Sequence, residues 1–128
     1  QQYQHAAQLR TPDYRLLVDY ALALDCAGDQ AQAIAKLRQA TTLERNSHAW
    51  SVLGVIYGKS KQTDQALEAL NQALSINPRD EAALVTRGNV HVLMKQPALA
   101  IADYDEALKI NPSNQAAQRG RAVAAGNP

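Results

Sequence analysis

The residues with most chemical potential in this 128-residue chain are three histidines, one cysteine and one acidic run. His5, His48 and His91 are candidate metal ligands or proton carriers. They lie too far apart for any two to share a helix at the i, i+3 or i+4 spacing that a metal site on one face requires. Cys26, the single cysteine, makes no internal disulfide and no cysteine-rich zinc site, so a Cys26–His48 nucleophile pair is the arrangement to weigh. Asp103, Asp105 and Glu106 could form a metal or paired-carboxylate site. On a helix only Asp103 and Glu106 share a face, and Lys109 follows Asp105 at i+4, so the run is expected to be a solvated outer face. Glycine-rich phosphate loops, a Gly-x-Ser-x-Gly elbow and a His-Glu-x-x-His motif are all missing. The expectation is no enzyme activity, no metal and no cofactor.

Thirteen Lys and Arg against twelve Asp and Glu leave a net charge of +1, so no chain-wide field draws nucleic acid or an anionic membrane. The basic residues are scattered without interleaved aromatics, which argues against a nucleic-acid groove. A balance of 46% hydrophobic and 20% charged residues suits one folded domain. No apolar run approaches the roughly 18 residues of a membrane helix, so direct membrane insertion is not expected. Residues 1–30 lack the charged start and apolar core of a signal peptide, while Gln1-Gln2 in place of Met suggests a removed upstream segment. Zero Phe, abundant Ala, Leu and Gln, and Pro only at 12, 78, 97, 112 and 128 predict an all-α chain.

Sliding the sequence against itself shows what positions these residues. Gly54 and Gly88, Ala66 and Ala100, Ala73 and Ala107, Ile76 and Ile110, and Asn77-Pro78 and Asn111-Pro112 are each 34 positions apart. Trp50, Leu53, Gly54 and Tyr57, followed by Ala66, Leu70, Ala73 and Pro78, resemble the consensus of the tetratricopeptide repeat (TPR) family. The resemblance implies a solenoid of helical hairpins, about eight helices in a right-handed superhelix, stacked because no unit buries its own apolar stripe.

The best-matching unit spans 47–80. The unit over 81–114 keeps Leu84, Gly88, Ala100, Tyr104, Ala107 and Pro112 but has Arg87 and His91 where Leu53 and Tyr57 stood. The unit over 14–46 keeps Leu17, Tyr20, Ala33, Leu37, Ala40 and Leu43, replaces the glycine by Ala21, and runs one residue short at Arg45-Asn46. Residues 1–13 read as the second helix of a truncated repeat, since Tyr3, Ala6 and Leu9 align with Tyr104, Ala107 and Ile110. Its missing partner helix predicts an excerpt of a longer array, or pairing with another chain at that end. Residues 115–125 read as a capping helix made polar by Gln115, Gln118, Arg119 and Arg121. Together these make a single TPR domain over 1–128.

Within each unit the first helix buries positions 4, 7, 8 and 11, which are Trp50, Leu53, Gly54 and Tyr57 in the central repeat. Gly54, Gly88, Ala66 and Ala100 should mark the closest approaches between helices. Asn77-Pro78 and Asn111-Pro112 should end second helices, Pro97 should open one, Gly28-Asp29 should supply a flexible joint, and Thr63-Asp64 should supply an N-cap. In this frame Cys26 and His48 lie about 16 Å apart along adjacent helices, which argues against a nucleophile pair. Arg87 resembles a TPR variant in which the stem packs at the repeat edge and the head stays in water.

At ~100° per residue, positions 2, 5, 9, 12 and 13 of the first helices point away from the packing stripe, and in the TPR family this face lines a concave peptide-binding groove. It carries Arg15, Val18, Leu22, Asp25 and Cys26, then His48, Ser51, Val55, Gly58 and Lys59, then Ala82, Val85, Asn89, Val92 and Leu93. The aliphatic share predicts a protein or peptide ligand, with burial of part of this face between neighbouring helices as the competing reading. TPR co-chaperones that grip the C-terminal carboxylate of Hsp70 or Hsp90 carry basic and Asn residues where this chain has Val18, Leu22, Val52, Ala82 and Thr86, so the clamp is absent. Pro12-Asp13-Tyr14-Arg15-Leu16-Leu17 faintly resembles bacterial TPR proteins of pilus or secretion-system assembly. The alternative is a structural adaptor that self-associates through its N-terminal helix.

Overall fold

The computed structural model describes residues 14–43 and 46–126, which hold seven helices. These are α1 (Tyr14–Cys26), α2 (Gln30–Leu43), α3 (Ser47–Lys59), α4 (Thr63–Ile76), α5 (Glu81–Leu93), α6 (Pro97–Ile110) and α7 (Gln115–Ala124). The expected helix over 1–13 lies outside the described residues.

The helix ends repeat with the sequence. Asn46, Asp80 and Asn114 cap α3, α5 and α7 by accepting from the backbone N–H of His48 (2.8 Å), Ala83 (3.1 Å) and Ala117 (3.0 Å). Asn77 and Asn111 close α4 and α6 in extended backbone, and their side chains accept from the N–H of Arg79 and Ser113 beyond each proline. Pro97 opens α6 at its first turn, where no N–H is needed.

The turn inside each hairpin is a left-handed closure. Gly28 (φ 89°), Lys61 (φ 60°) and Lys95 (φ 60°) occupy it in successive units. Each permits a reverse pair of backbone bonds onto the finished helix, as in Gln62 N–H to Tyr57 C=O (2.9 Å) and Lys61 N–H to Gly58 C=O (3.0 Å). Thr63 is the first helical residue of α4, and the preceding Gln62 makes no side-chain cap. The expected N-cap at Thr63-Asp64 is therefore corrected: the backbone closure at Lys61 defines that turn.

Helices pair as α1–α2, α3–α4 and α5–α6, with α7 laid against α5 and α6. The first helices α1, α3, α5 and α7 touch in sequence. The second helices α2, α4 and α6 touch only the first helices of their own and the next unit. The first-helix layer is thus the inner, concave side.

Two cores fill the stack, one around Leu37, Leu53, Ile56 and Leu70 and one around Leu84, Ala100, Tyr104 and Ala117. Small residues bring the helices of each hairpin together: Ala33, Ala66 and Ala100 are fully buried. A Cβ on Gly54 would stand 2.5 Å from Leu70 Cγ, and one on Gly88 2.7 Å from Tyr104 Cε1. Gly58 is different, because a Cβ there would meet Val90 Cγ2 at 3.6 Å, an ordinary contact.

Opposite outcomes follow for two glycines on α3. Gly54→Ala should lower stability, because overpacking of ~1–3 kcal/mol against the buried Leu70 exceeds the ~1 kcal/mol gained in helix propensity. Gly58→Ala should raise stability by up to ~1 kcal/mol. Thermal melts followed by circular dichroism check both signs, and a stabilised Gly54→Ala would contradict the close approach.

Candidate binding face

The inner layer divides the predicted groove residues into two sets. Val18, Ser51 and Val85 are only 2%, 3% and 8% exposed. These three position-5 side chains therefore offer a ligand little surface, with Val18 at the border of a hollow beside Arg15 and His48. Arg15, Leu22, Cys26, His48, Lys59, Ala82 and Asn89 are exposed, and Val55 and Val92 are half-buried. Leu93, next along α5, is exposed.

Several polar members of this face are tied to their neighbours. Lys59 Nζ donates to Asp25 Oδ2 at 2.7 Å, joining the ends of α3 and α1. That hydrogen bond holds the Asp25 carboxyl below the usual carboxylate range, against the opposing effect of desolvation and with help from Gln30. A lowered value means the tie is present above about pH 4 and lost as acidification passes through the Asp25 value. Beside it, Ser60 Oγ donates to Gln30 Oε1 at 2.7 Å.

Arg87 and Asp103 stand at the centre of a second polar cluster. Arg87 Nη2 and Nε donate to Asp103 Oδ1 and Oδ2 at 2.7 and 3.0 Å, and Nη1 donates to Asn71 Oδ1 at 2.9 Å. One guanidinium therefore joins α5 to α6 and to α4 of the preceding unit. Two expectations are corrected: the Arg87 head is in a fork rather than in water, and Asp103, 6% exposed, is part of the interior. His91 Nδ1 pairs with Gln96 Oε1 at 2.9 Å, and its Nε2 lies 3.6 Å from Asp103 Oδ2. Further out, Lys109 pairs with Glu106 at 3.3 Å instead of Asp105, which engages Arg121 of α7. Among the described residues no three His, Cys, Asp or Glu are grouped to hold a metal, and no helix is long and apolar enough to cross a membrane.

Between α5 and α7 the inner face deepens into a depression of about 460 Å³, lined by Asn89, Val92, Leu93, Tyr104, Ala116, Arg119, Gly120 and Val123. Tyr104 is 1% exposed and its hydroxyl donates to Asn89 Oδ1. Its ring lies where side chains on Gly88 and Gly120 would fall, so glycines on two helices make room for it. Sequence reasoning missed this site because Arg119 and its neighbours read as a solvating cap. The available signal was Gly120, a glycine inside a helical segment. At the other end Arg15, Val18, Asp19 and His48 border a smaller hollow of about 280 Å³.

Burial, then the Asp103 charge, push the Tyr104 phenol above its ordinary value. A raised value means the fold holds the neutral phenol: this stability is complete below about pH 10 and is lost as pH rises through the Tyr104 value. Tyr104→Phe should cost ~0.5–1.5 kcal/mol at neutral pH through the lost hydrogen bond, and should flatten the alkaline decline. Urea unfolding at pH 8, 10 and 11 measures both effects, and an unaltered alkaline profile would contradict the assignment.

No curated protein is significantly similar to the chain. Among solved structures, MamA superposes with a TM-score of 0.83 at 21% identity, covering 97% of this chain and 73% of that one. The Arabidopsis OM64 TPR domain gives a TM-score of 0.84 at 18% identity, with coverage of 88% and 94%. The first TPR of Spaghetti (RPAP3), bound to the HSP90 peptide SRMEEVD, gives 0.85 at 18% identity, with coverage of 89% and 91%. At these identities the likeness establishes the fold. The tetratricopeptide repeat family itself matches residues 48–80 and 82–114, about half of the sequence, and with the paired helices, the inner layer and the glycine contacts in place the chain belongs to that family.

Proposed function

We propose that this chain is a protein-interaction module that holds a peptide or helical segment of a partner along the inner face of α1, α3, α5 and α7. The observation that carries the reading is the accessible series Leu22, Val55, Val92 and Leu93, with Asn89 beside it, on the side where the first helices converge. Aliphatic side chains would cover the apolar side of the segment, and the Asn89 amide would meet its backbone. The related fold bound to an HSP90 peptide supports peptide capture as a use of this architecture. Without the basic clamp residues, binding should weaken only slightly with added salt. The assignment carries no catalytic step. A place in assembling a bacterial complex such as a pilus or secretion system rests on the resemblance over residues 12–17 alone, and no comparison supports it.

Self-association at the N-terminal end, the alternative reading, would draw on Leu16 and Tyr20, one turn apart on α1 and 61% and 51% exposed. Sedimentation equilibrium at two concentrations checks it: mass growth that Leu16→Asp abolishes would favour the adaptor reading.

The direct test replaces accessible groove residues and leaves Val85 in its core. Leu22→Asp with Val55→Asp should remain helical by circular dichroism and lose about tenfold or more in affinity for peptides selected on the parent chain, as expected when ~1.4 kcal/mol or more of apolar contact is removed. Unchanged affinity in a folded double variant would move the site away from this face.

A further inference from the structure

The depression between α5 and α7 has a chemistry of its own. Its floor is the buried Tyr104 ring, with the hydroxyl already engaged by Asn89. Gly120 packs directly on that ring, since any side chain there would run into it. Leu93 and Val123, 53% and 61% exposed, stand at its sides. A volume of about 460 Å³ falls within the ~300–1,000 Å³ of ordinary ligand pockets.

Arg119 is the one charged residue in the lining. It is exposed on α7, one turn before Val123. The neighbouring guanidinium groups are occupied, Arg87 by Asp103 and Asn71 and Arg121 by Asp105. Arg119 has no hydrogen-bond or ion-pair partner among the described residues. An unengaged guanidinium at the edge of an apolar socket matches a carboxylate, which it can grip with two parallel bonds. Asn89 adds a second element: its oxygen accepts from Tyr104, which leaves its NH₂ to donate to a backbone carbonyl.

We propose that the α5–α7 depression selects partner segments in which an apolar side chain lies within two residues of an Asp or Glu. The apolar side chain sits over Tyr104 and Gly120 between Leu93 and Val123, the acidic side chain meets Arg119, and the partner's backbone meets Asn89. One cation in an otherwise uncharged lining suits a single side-chain carboxylate and gives no footing to a polyanion, whose binding needs several. The proposal rests on the inner-face reading and names the partner chemistry for it.

The probe is a displayed library of random twelve-residue peptides flanked by Gly-Ser linkers, selected on the parent chain, with affinities of synthetic winners read by fluorescence polarisation. The expected winners pair Leu, Ile, Met or Phe with a nearby Asp or Glu. Arg119→Glu, at an exposed and unpaired position, should leave the helical spectrum intact and weaken these peptides about fivefold or more. Replacing the peptide acid by Lys should restore binding to Arg119→Glu. Winners without an acid, or unaffected by Arg119→Glu while still lost on Leu22→Asp with Val55→Asp, overturn this proposal and leave the inner-face reading standing. Binding insensitive to both sets of substitutions, or no winners at all, overturns both.

Discussion

The close approach of two helices inside each hairpin is the constraint on which the rest depends. Gly54 against Leu70 and Gly88 against Tyr104 are the same contact in successive units. Each lets a bulky buried side chain on the second helix rest on the bare backbone of the first. That proximity sets the angle of the hairpin, and the angle decides which helices meet their counterparts in the next unit. The inner layer, and with it the accessible series from Leu22 to Leu93, follows from where glycine stands in α3 and α5.

Units are then joined only to their neighbours. Asp25 with Lys59, Gln30 with Ser60, Asn71 with Arg87, and Asp105 with Arg121 each span one junction. Asn114 adds a bond from the approach to α7 back to Glu81 at the start of α5. Stability of such a chain is distributed, in repeat fashion, among hairpins and the seams between them. The seam around Arg87 differs from the others, since Asp103 is buried and its fork to Arg87 is reinforced by Asn71. Removing Arg87 there would leave the buried Asp103 carboxylate without its guanidinium.

What was legible in the sequence was the part written by spacing. Repetition at 34 residues locates the helices, the proline ends and the tight contacts at Gly54, Gly88, Ala66 and Ala100, because these depend on size and backbone freedom at fixed positions. The misread residues depend on neighbours that spacing does not rank. Val18, Ser51 and Val85 look outward on a single helix and are buried in the stack. Arg87 and Asp103 look like surface charges until the fold brings them within 3.0 Å. Lys61 and Lys95 take a left-handed turn that Gly28 advertises openly, and nothing about lysine announces it. The α5–α7 depression was hidden in the same way: Gln115, Gln118, Arg119 and Arg121 made the segment read as a polar cap, while Gly120 packs against Tyr104.

Among the described residues the second helices α2, α4 and α6 pair with first helices and not with one another, and this has a mechanical consequence. The inner line of helix contacts acts as a pivot, while the outer side has no matching row of contacts to stretch or compress. Bending that widens or narrows the curve is therefore resisted mainly by the seams, and the array behaves as a leaf spring clamped along its concave edge.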